Sequence, residues 1–147
     1  MSYQTYIVYG YGFCVDDIHT TPEKLLKLAA MKPDVLRDVR TYLAEKFYKG
    51  YEDKDLDMSD FYDLEGDFGE HGLSYVLLNV IDDFEVEYAN DYDGTEFILF
   101  PPTFPWCFSE RERNLSESDV KDMFMKYISV LTDEHVVIDY FNVENGG

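Results

Sequence analysis

The sequence predicts an α+β fold, about four helices packed on one face of a mostly antiparallel four-stranded sheet, in one domain spanning residues 1–147. Three observations carry this. Apolar residues recur at helical spacing in separate stretches. Aromatic and β-branched residues cluster at both ends of the chain. Two alternating segments flank an Asp-Gly turn.

The elements follow in order. Residues 3–15, YQTYIVYGYGFCV, read as a strand, with Gly10 and Gly12 marking a bulge or bend. Thr21 is placed to cap a helix with Pro22 in its first turn, although Thr20 and Glu23 also match a capping box. Leu25, Leu26, Leu28 and Ala29 give this helix its apolar face. Pro33 opens a second helix, PDVLRDVRTYLAEKFY, with Val35, Leu36, Val39, Leu43 and Phe47 at helical spacing and Gly50 as its stop. Ser59 is expected to cap a short helix that turns Phe61, Leu64 and Phe68 inward. Leu73, Val76, Leu77, Val80, Ile81 and Phe84 form a helical stripe, which predicts a helix over 73–83. FEVEYA and TEFILF then read as a hairpin around Asp93-Gly94, ended by Pro101, Pro102 and Pro105. Ser116, with Asp119 three residues on, caps the last helix, whose stripe runs from Val120 to Leu131. VVIDYFNV closes the sheet.

Composition limits the function classes. A hydrophobic fraction of 46% and an aromatic fraction of 17% are those of a chain that buries a core. No apolar run reaches the length of a membrane span, and the N-terminus lacks the pattern of a signal peptide. Cys14 and Cys107 are too few for a disulfide framework, so reduced thiols in the cytoplasm are expected. The net charge is −19, and residues 51–96 hold 16 acids against the single base Lys54. Such charge opposes direct binding to nucleic acid and favours a basic partner.

No motif identifies a reaction. Asp53, Asp55 and Asp57 match the start of an EF-hand loop, but Met58 stands where glycine is required and Leu64 where the bidentate glutamate belongs. His19, His71 and His135 lack metal-ligand spacing, so neither metal nor cofactor is expected. Gly10-Tyr11-Gly12 lacks the third glycine of a nucleotide loop and is followed by Asp16 and Asp17, which would repel phosphate. Asp16, Asp17 and His19 could line a ligand pocket or belong to a solvated connection. Cys14 with His19 would form a nucleophile pair only if the fold joined them. Trp106, between Phe104 and Phe108, is a candidate aromatic anchor for a partner or an oligomer contact, or else a core cover. Gly146-Gly147 has the form of a ubiquitin-like tail, or of a plain terminus.

The acidic belt remains. A charge run is ordinarily a solvated face, but this one is concentrated in a third of the chain and borne on elements with apolar stripes. Folding would hold its carboxylates in order, where they could imitate a phosphate backbone. In size, charge and aromatic content the chain resembles the small acidic proteins of phages and mobile elements, such as anti-CRISPR proteins and other nucleic-acid mimics. That resemblance implies inhibition, by occupying the basic channel of a nucleic-acid-binding protein. The residues expected to meet such a partner are Asp53, Asp55, Asp57, Asp60, Asp63, Glu65, Asp67 and Glu70, with Glu85, Glu87, Asp91 and Asp93 of the hairpin. The alternatives are a small enzyme or ligand-binding protein with a pocket near Asp16, Asp17 and His19, and an adaptor or structural subunit.

Overall fold

The computed structural model describes residues 5–48, 50–100 and 115–146. Among them, four α-helices accompany a four-stranded sheet, the α+β arrangement expected. Strand β1 (Thr5–Cys14) leads through a 3-10 turn at Val15–Asp17 to helices α1 (Pro22–Ala29) and α2 (Pro33–Lys46). A second 3-10 turn (Met58–Phe61) precedes α3 (Leu73–Val80). The hairpin β2 (Glu87–Asn90) and β3 (Glu96–Phe100) follows, then α4 (Glu117–Leu131) and β4 (Asp139–Gly146). Trp106, Cys107 and the prolines after β3 lie outside the described residues, as does Gly147.

The sheet order is β2-β3-β1-β4, with every pair antiparallel. The first strand of the chain is therefore central. Its glycines make no bulge: pairing runs unbroken from Thr5 opposite Gly146 to Gly12 opposite Asp139. Their role is closeness. A Cβ on Gly12 would lie 2.0 Å from the Ile98 carbonyl oxygen, and one on Gly10 would lie 2.7 Å from that of Phe100.

The caps explain where the helices begin. The Thr21 hydroxyl accepts the Lys24 N–H, and Pro22 occupies the first turn, where a missing N–H costs nothing. Ser116 and Asp119 exchange side-chain-to-backbone hydrogen bonds at the start of α4. Those bonds favour the ionised form and hold the Asp119 carboxyl below its ordinary range.

One sheet face carries the helices. Phe13, Leu25, Leu28, Leu77, Phe124 and Ile128 are fully buried between the two layers. The rings of Phe13 and Phe84 meet Phe124 edge-on, with centroids 5.2 and 5.4 Å away, a favoured aromatic geometry. Opposite, a smaller cluster of Ala89, Leu99 and Val143 is flanked by Val8, Phe97 and Phe141.

Several boundaries differ from expectation: β2 starts at Glu87 rather than Phe84, whose ring packs in the core, so Glu85 precedes the hairpin, and three others have local reasons. Helix α3 stops at Val80 because Ile81 adopts extended backbone, with ψ of 110°. That exit frees Asp83 to reach α4, where it accepts from Lys126 Nζ at 3.0 Å and from the Tyr127 hydroxyl at 3.1 Å. The last strand is displaced toward the terminus, since Val136 is spent on the core before pairing with β1 begins. The short helix at Ser59 is a 3-10 turn capped by Asp57: its carboxylate accepts the Ser59 N–H, and Asp60 accepts the Asp57 N–H.

Candidate functional site

The acidic segment is tied to α2. Tyr42 donates its hydroxyl to the Asp60 carbonyl at 2.7 Å, and Lys46 Nζ donates to the same oxygen at 2.8 Å. Phe61 and Leu64 enter the core, and Gly72 N–H bonds the Leu64 carbonyl at 2.8 Å. The chain between Leu64 and Gly72 must therefore turn back on itself. A bridge between Glu65 and His71 closes the base of this loop. Within it, Gly66 N–H bonds the Glu70 carbonyl at 2.8 Å, and Gly69 takes a left-handed φ of +83°.

The twelve carboxylates expected to meet a partner separate into two groups. Asp53, Asp55, Asp63, Glu65, Asp67, Glu85, Glu87 and Asp93 are exposed and accept no backbone N–H among the described residues. Only Asp63 of the twelve has a described lysine or arginine within 4.0 Å, Lys46 at 3.9 Å. The others hold local structure. Asp57 and Asp60 form the cap of the 3-10 turn. Asp91 accepts the N–H groups of Asp93 and Thr95 at 2.9 Å each and shapes the hairpin turn. Glu70 departs furthest from expectation: it is 3% exposed, and its carboxylate accepts the Phe68 N–H at 2.9 Å. Phe68 departs as far the other way. Expected in the core, it is 77% exposed.

The fold brings part of this set together. Glu65 and Asp67 border a recess that shares Phe68 and Leu78 with a second recess bordered by Glu85 and Glu87. Asp53 and Asp55 lie on the approach to the 3-10 turn, next to Lys54, whose ammonium sits 4.1 Å from the Phe47 ring centroid. Asp93 lies on a separate cleft.

That cleft, about 710 Å³ in volume, opens between the end of β1, the Met58–Ser59 turn, the start of α3 and the hairpin turn. Asp16 and His19 line it; Asp17 is exposed and does not. Its centre is a group that the sequence reading missed. Glu96 of β3 is 6% exposed. His71 Nε2 lies 2.9 Å from Glu96 Oε1, and the Ser74 hydroxyl donates to Glu96 Oε2. Asp16 accepts the Glu96 N–H at 3.0 Å. Burial pushes the Glu96 carboxyl up from its ordinary range, against the opposing pull of Ser74 and His71. Burial, reinforced by the Glu96 charge, also raises the Tyr88 phenol. A signal was present in the sequence: period-2 alternation places Glu96 on the same face as fully buried Ile98.

The shift has a consequence for stability. A carboxyl whose folded pKa is raised binds its proton more tightly in the fold than in the unfolded chain. Stability is then lost as pH rises from the ordinary carboxyl value through the raised one. Glu96→Gln lacks this loss. The melting temperature of the variant, relative to wild type, is expected to be higher at about pH 7 than at about pH 4, measured by thermal unfolding at the two values.

Other candidates remain apart. His19 turns outward, with Nδ1 3.3 Å from Glu134 Oε2, while Cys14 is buried and its thiol is pushed up by desolvation. The two make no nucleophile pair. No described group of three His, Cys, Asp or Glu residues is placed to hold a metal. No described helix is long and apolar enough to cross a membrane. No family model, curated protein or solved structure matches the chain.

Proposed function

We propose that the protein is a non-enzymatic acidic binding protein of the cytoplasm that occupies a basic surface of a partner protein, as a mimic of the phosphate backbone that surface would otherwise hold. The observation that supports this is the set of exposed carboxylates at 53–67 and on the hairpin, among which Asp63 alone has a described lysine or arginine within reach. Glu65 and Asp67 stand on a turn closed by backbone hydrogen bonds, and Glu87 and Asp93 on the hairpin, so little ordering is lost there when cations meet them. Long-range attraction then speeds encounter with a basic partner and weakens with salt. The test is the charge reversal argued in the Discussion, read on partners recovered from nuclease-treated lysate.

A second reading is favoured by the Glu96 cleft: a small-ligand protein whose ligand is an organic cation. The described charged groups lining the cleft are Asp16, Asp93 and Glu96 with the histidines His19 and His71, and no lysine or arginine is among them. Free arginine is a suitable probe. Thermal stabilisation of wild type by arginine, absent from Glu96→Gln, would support this reading; equal response of both proteins would remove it.

A further inference from the structure

The acidic face has an apolar centre. Phe68 is the most exposed large side chain without a polar atom among the described residues, at 77%. On one side of it lies a groove of about 510 Å³, floored by Leu78, Ile81, Phe84 and Val86. On the other lies the smaller recess of about 370 Å³, against Tyr75 and Leu78. Glu65, Asp67, Glu85 and Glu87 border the two.

The position of Phe68 is built. The buried Glu70 carboxylate accepts the Phe68 N–H, and the Gly66–Glu70 and Gly69–Gly66 backbone bonds close the turn beneath it. A Cβ on Gly66 would lie 1.8 Å from Glu70 Oε1, so any side chain there would displace the carboxylate from its present seat. A carboxylate, costly to bury, is thus used to hold a phenyl ring in water. A pure phosphate mimic has no use for such a ring. An interface does: its strongest contacts are apolar anchors ringed by polar groups.

Resting on the binding reading above, we propose that Phe68 is the anchor of the partner interface, and that its groove takes an aliphatic side chain from a basic amphipathic segment of the partner. The lysines or arginines flanking that side chain would meet Glu65, Asp67, Glu85 and Glu87. Charge selects this occupant over a second copy of the chain, since two copies would set the same four carboxylates against each other, each chain carrying net −19.

Two synthetic peptides of equal charge test this: one alternates leucine with lysine, the other serine with lysine. Phe68→Ser is expected to weaken the leucine peptide by about tenfold, the lower range of an anchor residue, and to leave the serine peptide unchanged. Phe68→Leu should restore most of the loss. The ring touches solvent, so both variants should melt near wild type, which excludes misfolding as the cause. Equal binding of the leucine peptide to wild type and Phe68→Ser would overturn the proposal while leaving the acidic reading intact, provided the serine peptide still binds in a salt-sensitive way. Failure of both peptides to bind would remove the two together. A wild-type dimer by light scattering that Phe68→Ser converts to monomer would assign the groove to a second copy and overturn the proposal.

Discussion

Reversing Asp53, Asp55, Glu65 and Asp67 to lysine is expected to abolish capture of a basic partner at low salt, with affinity falling on the order of a hundredfold. All four are exposed, and their side chains hold no described backbone group. Each reversal changes the charge by two, so the net charge moves from −19 to −11. Attraction over distance falls first, so association should slow more than dissociation speeds up. The dependence of affinity on salt should flatten. Stability should hold or rise, because self-repulsion in a strongly anionic chain is relieved. The choice of residues matters. Reversing Asp57, Asp60 or Asp91 would remove a cap or a turn, and reversing Glu70 would bury an ammonium where a carboxylate now accepts the Phe68 N–H. Those variants would lose binding through misfolding and say nothing about charge. Unchanged capture by the four-lysine protein, folded by circular dichroism, would end the mimic reading.

Gly12→Ala should cost more stability than any surface change, upward of about 3 kcal/mol. The new methyl would meet the Ile98 carbonyl oxygen at 2.0 Å and the Leu99 Cα at 2.9 Å, both backbone atoms of the neighbouring central strand. Neither can rotate away. Relief requires β1 and β3 to separate, which breaks the pairing at the middle of the sheet. Gly94→Ala makes the contrast. Its φ of +82° disfavours alanine, but no atom lies within 4 Å of the added carbon, so the loss should be about 1 kcal/mol. Urea unfolding of the two variants separates crowding from backbone conformation. Similar midpoints for both would refute the close-approach role of Gly12.

What was legible in the sequence was what periodicity controls. The stripes of α1, α2, α3 and α4 and the Asp93-Gly94 turn follow directly from residue spacing, because each element buries one continuous face. Glycine in β1 suggests curvature from the sequence alone, but its cause is a neighbouring backbone that no single strand reveals. Phe68 departs from its expected core position for a similar reason. Its spacing from Phe61 and Leu64 suits a helix, but the 3-10 turn ends at Phe61 and the Gly66–Glu70 turn carries Phe68 away from that face. Glu70 looked like one more surface acid because nothing local marks a carboxylate that will be buried. Glu96 was readable from its parity with Ile98, yet its partners His71, Ser74 and Asp16 come from distant stretches that only the fold assembles.

Competition measures the central proposal most directly. A partner recovered through the acidic face would be loaded with labelled nucleic acid, and the protein would be titrated in at fixed salt. The label is expected to leave in proportion to protein bound, with no species holding both, and the four-lysine variant should displace none. A stable ternary complex, or displacement by the variant equal to that by wild type, would contradict occupation of a nucleic-acid surface by these carboxylates.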